Sequence, residues 1–95
     1  MFCPICKNEH MTESKYSTTV CEDCLIKYPL MFKDKVISFK IINDVLYSIS
    51  NGITSCNYDC ILNGYHCYAT MNNFGKIFII VCKPINKVLE KIKKF

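Results

Sequence analysis

Between residues 35 and 82 the apolar residues come in short runs: Val36 to Ile42, Val45 to Ser50, Ile53 to Cys60, Tyr65 to Met71 and Lys76 to Cys82. The breaks between them are Asn43-Asp44, Asn51-Gly52, Asn63-Gly64 and Asn72-Asn73-Phe74-Gly75. The runs are rich in Ile, Val, Tyr, Phe and Thr, residues that fit a pleated, half-buried surface. Asn-Gly between such runs marks a hairpin, because a type I′ turn needs positive φ at both central residues. The pattern predicts five strands in an antiparallel meander, either a small barrel or a curled sheet. Residues 39–50 carry a competing helical pattern, with Ile42, Val45, Leu46 and Ile49 on one face, Ser38 as cap and Asn51-Gly52 as stop. The frequency of β-branched residues there favours strands.

The two ends of the chain read differently. Ile85, Val88, Leu89 and Ile92 recur at helical spacing after Pro84, which suits a first helical position, so an amphipathic C-terminal helix is predicted over 85–95. At the other end, the polar stretch from Lys7 to Thr19 reads as a short hairpin, and Pro29 limits any helix starting at the second pair to about one turn. The expected fold class is therefore α+β, small and β-rich. Residues 1–34 form one lobe, and residues 35–95 form an antiparallel sheet with a C-terminal helix, the two packed as one unit. A chain of 95 residues buries a limited core, so a metal staple would add materially to its stability.

The charge balance narrows the range of partners. The chain holds 12 lysines and no arginine, for a formal net charge of +4. Residues 83–95 carry all of that excess, with five lysines against one glutamate, while residues 1–82 balance seven lysines with seven acids. The body is neutral and the basic character is confined to the C-terminal segment. Thirteen isoleucines and eight asparagines beside the lysines suggest a low-GC genome, for which a large DNA virus or phage is the favoured source.

Eight cysteines in so short a chain point either to disulfides or to metal. Met1-Phe2-Cys3-Pro4 starts a cysteine motif where a secretory leader would need a basic start and an apolar run, and no apolar stretch is long enough to span a bilayer. The expectation is an intracellular, reducing location with thiols available for metal. Cys3, Cys6, Cys21 and Cys24 form a C-x2-C-x14-C-x2-C pattern. A two-residue gap turns both thiolates of a knuckle toward one ion, and two knuckles complete a tetrahedral shell for zinc. Such a closed shell holds structure and leaves no position open for activating water.

Cys3-Pro4-Ile5-Cys6 with Cys21-Glu22-Asp23-Cys24 resembles the paired knuckles of zinc ribbons and treble clefs over roughly the first 30 residues. Pro29 shortens the helix that a treble clef would place after its second pair, which favours the ribbon. Ribbons commonly carry glycine after each knuckle, where this chain has Lys7 and Leu25. The resemblance implies a structural zinc and a role in transcription machinery, ribosomes or viral assemblies.

Cys56, Cys60, Cys67 and Cys82, with His66 beside them, match the ligand number of a second zinc, but each also suits an ordinary buried thiol. Hence one zinc ion is expected, and two if these residues converge. Neither His10, read as a solvent-exposed loop residue, nor His66 lies in a nucleophile motif, so the protein is read as non-catalytic. The preferred function is a zinc-stabilised binding module that contacts a protein partner in a larger assembly. The alternative is a nucleic-acid-binding zinc ribbon. It would use Lys83, Lys87, Lys91, Lys93 and Lys94 on phosphates, and tyrosines such as Tyr47, Tyr58, Tyr65 and Tyr68 as stacking surfaces.

Overall fold

The structure, a computed structural model, describes residues 2–84, the side chains of residues 83 and 84 excepted. After the first cysteine knuckle and an irregular loop, the elements run α1 (Glu22–Lys27), β1 (Met31–Phe32), β2 (Lys35–Val36), β3 (Ser38–Ile42), β4 (Val45–Ser50), β5 (Ile53–Ser55), β6 (Asp59–Leu62), β7 (Tyr65–Met71) and β8 (Ile77–Pro84). The strands make two antiparallel sheets: a five-stranded one in the order β2-β1-β6-β7-β8, and a three-stranded one in the order β3-β4-β5.

This architecture corrects the expected fold class in three places. First, the sheet is not a single meander. The run from Val36 to Ile42 breaks at Ile37, which is buried and donates its N–H to the Leu30 carbonyl at 2.9 Å. The run from Ile53 to Cys60 breaks at Cys56–Tyr58, so its two halves join different sheets. Second, the hairpin expected between Lys7 and Thr19 is an irregular loop. Its backbone turns are held by hydroxyls: Ser14 N–H donates to Thr12 Oγ1, Tyr16 N–H donates to Ser14 Oγ, and Thr19 Oγ1 lies 2.7 Å from both Ser14 Oγ and the Tyr16 carbonyl. Short hydroxyl side chains compete with strand ladders in this way. Third, no C-terminal helix is found among the described residues: Pro84, expected to start it, closes β8 opposite Tyr65. Proline at a strand end loses no ladder bond, so tertiary pairing decides its state. Positions 85–95 lie outside the described residues.

The hairpins follow the turn chemistry of the sequence. Asn43-Asp44, Asn51-Gly52 and Asn63-Gly64 all have positive φ at both residues, as a type I′ turn requires. Lys33-Asp34 does the same between β1 and β2 (φ 50° and 63°) without a glycine to announce it. Gly64 sits at φ +80° with open space where a Cβ would go. Gly64→Ala will therefore cost about 1–2 kcal/mol through backbone strain alone. Thermal unfolding checks this: a Tm drop of roughly 4–8 °C per kcal/mol is expected, and an unchanged Tm would contradict the type I′ assignment.

One continuous core joins the sheets and the N-terminal lobe, with Cys3, Val20, Cys24, Ile37, Leu46, Leu62 and Ile79 among its buried members. Tyr58 crosses between the sheets: its hydroxyl donates to the Leu46 carbonyl at 2.9 Å, and its own carbonyl accepts from Ala69 N–H at 2.9 Å. The N-terminal lobe is attached along β8. Val20 N–H donates to the Ile79 carbonyl, Val81 N–H donates to the Thr18 carbonyl, and Thr19 faces Ile80 in an antiparallel bridge. Among the described residues no helix is long and apolar enough to cross a membrane.

Candidate metal centre

Two short segments bring the first four cysteines together. In the first knuckle, Lys7 N–H donates to the Cys3 carbonyl and Cys3 N–H donates to the Asn8 carbonyl, each at 2.9 Å, which curls the chain around Pro4 and Ile5. Lys7 holds φ +66°, the left-handed conformation that glycine supplies in many knuckles, and its ammonium donates to the Pro4 carbonyl at 2.8 Å. The departure from glycine is thus absorbed by a lysine that adopts the glycine conformation. The second knuckle runs into α1. Cys21 occupies the helix N-cap in extended conformation, Glu22 and Asp23 lie in the first turn and Lys27 in the last, as the helix dipole favours. The helix ends because Pro29 holds Tyr28 extended, at φ −118° and ψ 138°. This six-residue helix, which starts inside the second pair and contains Cys24, is longer than the single turn expected.

The result is a compact group of sulfurs. All four Sγ atoms of Cys3, Cys6, Cys21 and Cys24 lie within 4.8 Å of one another. Cys3 Sγ is 3.8 Å from Cys24 Sγ, and Cys6 Sγ is 3.7 Å from Cys21 Sγ. Four sulfurs about 2.3 Å from a common centre form a tetrahedron with edges of about 3.8 Å. A disulfide would instead need about 2.05 Å, and all eight cysteines are free thiols. Cys3, Cys21 and Cys24 are buried and Cys6 is exposed, so one corner of the group faces solvent.

The local fields divide the four thiols. Burial pushes Cys3 up, but backbone N–H groups of Cys21, Cys6 and Ile5 outweigh it and bring that thiol down to about 6. Burial and the neighbouring cysteines hold Cys24 well above its ordinary range, and burial raises Cys21 as well. Cys3 forms a thiolate readily while Cys21 and Cys24 resist, because packed sulfurs cannot all carry charge unless a cation sits among them. The sign is direct: a thiol whose folded value lies below its unfolded value stabilises the fold above pH 9 and loses that contribution as pH falls through about 6. Metal loading follows the same direction. The difference in Tm between metal-loaded and metal-free protein is expected to shrink steadily as pH is lowered from about 8 to about 5. Paired thermal scans measure it, and a difference independent of pH would rule out thiolate ligation.

The remaining cysteines are placed differently. Cys60 and Cys67 face each other in the β6–β7 register and are fully buried, while Cys56 and Cys82 are exposed. His66 precedes Cys67 on the strand and so leaves the opposite face, where its Nε2 lies 3.2 Å from Asp59 Oδ1. Among the described residues, the group of three or more His, Cys, Asp or Glu that could hold one ion is Cys3, Cys6, Cys21 and Cys24. Lys83 pairs by its backbone with His66, and Lys87, Lys91, Lys93 and Lys94 lie outside the described residues. His10 is half-buried rather than solvated. Its Nε2 is enclosed without a hydrogen-bond partner beside a cleft of about 320 Å³ that also takes in Cys21, Glu22, Asp23 and Lys76. The local sequence does not mark His10 for burial, because most of the cleft's walls come from distant chain, Val20–Asp23, Leu25 and Lys76–Phe78. Comparison with protein families, with characterised proteins and with solved structures finds no match to this chain.

Proposed function

We propose that Cys3, Cys6, Cys21 and Cys24 bind one zinc ion and that the protein is a zinc-stabilised, non-catalytic module for contacts with a protein partner in a larger assembly. The observation that carries the metal reading is the sulfur spacing of 3.7 and 3.8 Å, which matches the edge of a tetrahedral zinc–thiolate shell. Four protein ligands fill that shell, so the ion would organise structure rather than bind substrate. The contact reading draws on the surface. Phe74 is 91% exposed on the β7–β8 turn and Ile26 is 84% exposed on α1. The Phe74 turn is fastened by Asn72 Oδ1, which accepts from Phe74 N–H at 3.0 Å and Lys76 N–H at 2.9 Å. An open apolar groove of about 580 Å³ runs beside Ile26, lined in part by Leu25, Tyr28, Ile37, Phe39 and Ile79. Large exposed apolar side chains on rigid supports are the usual anchors of protein contacts.

Native mass spectrometry of protein purified with zinc tests the first half: one zinc per chain is expected, and no bound metal, or iron in its place, would overturn the assignment. A photo-crosslinking residue tests the second half in cells of the native host. Placed at Phe74 or Ile26 it should yield a discrete protein adduct, and at exposed Glu13 none. Adducts no more frequent at Phe74 and Ile26 than at Glu13 would end the contact reading.

A further inference from the structure

A second group of thiols lies on the five-stranded sheet, at the far end of β8 from the strand start. In the β7–β8 ladder His66 faces Lys83 and Cys67 faces Val81, so Cys82 is the extra residue of a β-bulge inserted at that step. A bulge sets two residues of one strand against one of its neighbour, so Cys82 falls between the partners of His66 and Cys67. Cys67 in turn faces Cys60 directly on β6. The series therefore runs from exposed Cys82 inward to Cys67 and Cys60, both 0% exposed. Their proximity also registers electrostatically: burial is the main cause that pushes Cys67 up to about 12, and the charge of Cys82 adds to it.

We propose that Cys82 is an oxidation site of this protein, attacked by hydroperoxides and resolved by Cys67 as a disulfide across the β7–β8 bulge. The Cys82 thiolate attacks one oxygen of the hydroperoxide and breaks the O–O bond; its sulfur is oxidised by two electrons to a sulfenic acid and the other oxygen leaves as water or alcohol. Cys67, as thiolate, then attacks the sulfenic sulfur and expels its hydroxyl group, which takes up the Cys67 proton and leaves as a second water. Two thiols and one peroxide become one disulfide and two hydroxylic products, with no further reductant or oxidant. Burial keeps Cys67 protonated at neutral pH, so the second step is the slow one and accelerates with pH. The four-sulfur group of Cys3, Cys6, Cys21 and Cys24 is a separate cluster that does not include Cys67 or Cys82.

The test uses the full, zinc-loaded chain treated with hydrogen peroxide at pH 7 and at pH 9, with and without dimedone to trap sulfenic acid, followed by chymotryptic peptide mapping. Expected are a dimedone adduct at Cys82 that appears first, a Cys67–Cys82 linked peptide that forms faster at the higher pH, and unmodified Cys60. In Cys82→Ser the disulfide at Cys67 should fall by about tenfold or more. In Cys67→Ser the sulfenic acid at Cys82 should persist and pass on to sulfinic acid. Should Cys67→Ser fail to fold, the wild-type map decides alone. Linkage of Cys82 to Cys56 or to a second chain, a Cys60–Cys67 link in its place, or no disulfide at all would overturn the proposal.

Discussion

Cys24→Ala will abolish stoichiometric zinc binding and melt the N-terminal lobe while the metal-free protein is left almost unaffected. Cys24 is 3% exposed and sits on α1, with its sulfur 3.8 Å from that of Cys3. Removing it takes away one corner of the tetrahedron and leaves two other buried thiols, Cys3 and Cys21, without the cation that would balance them. Structural zinc sites are worth about 10–16 kcal/mol in small zinc-binding peptides, and that binding energy is largely folding energy. The loss of one ligand should therefore lower the Tm of the zinc-loaded protein by more than about 10 °C. The comparison that isolates the metal is between metal-free wild type and metal-free variant, whose Tm values should agree within about 3 °C. Native mass spectrometry and hydrogen exchange over residues 2–27 complete the measurement. Retention of one zinc by the variant, or an equal Tm loss in the metal-free pair, would show that Cys24 acts by packing alone.

The second large effect lies in the sheet. Leu62 is 0% exposed and is among the largest fully buried side chains, at the end of β6 where the Asn63-Gly64 turn begins. Leu62→Ala removes buried methyl groups and leaves a cavity, at a cost of about 2–5 kcal/mol. Against a total stability of roughly 5–15 kcal/mol for a domain of this kind, that is a large share. Urea unfolding should show a lower midpoint with an unchanged slope, the mark of lost stability rather than an altered unfolded state. Ile53→Ala, at a side chain that is 71% exposed, should stay within about 0.5 kcal/mol of wild type. Equal costs at the two sites would mean that Leu62 is not a core residue.

What the sequence discloses follows the range of the interactions concerned. The cysteine group is legible because each knuckle closes within a few residues, and the β3–β4 and β6–β7 hairpins are legible because their turns need positive φ that Asn and Gly advertise. The Lys33-Asp34 turn adopts the same conformation without that composition and so goes unread. Sheet membership is also unread. The pairing of Met31 with Ile61 closes across 29 intervening positions, and nothing near Met31 specifies it. The three-stranded sheet is inserted between those partners, so a chain that reads locally as one meander builds two sheets. Pro84 shows the same limit from another side. Its fixed φ is compatible with a helix start and with an extended end, and the β7 partner selects the second.

The bonding of residues 18–20 along β8 has a colloidal consequence. Ile77-Phe78-Ile79-Ile80-Val81 is a continuous apolar strand whose outer edge is covered at its centre by Thr18, Thr19 and Val20. Those residues lead directly into Cys21, so the four-cysteine group that includes Cys21 also helps to keep the cover in place. An uncovered β edge of this composition is a template for pairing with other chains. If the group holds zinc as proposed, metal depletion would release this cover and favour self-association that begins at β8 rather than at the cysteines.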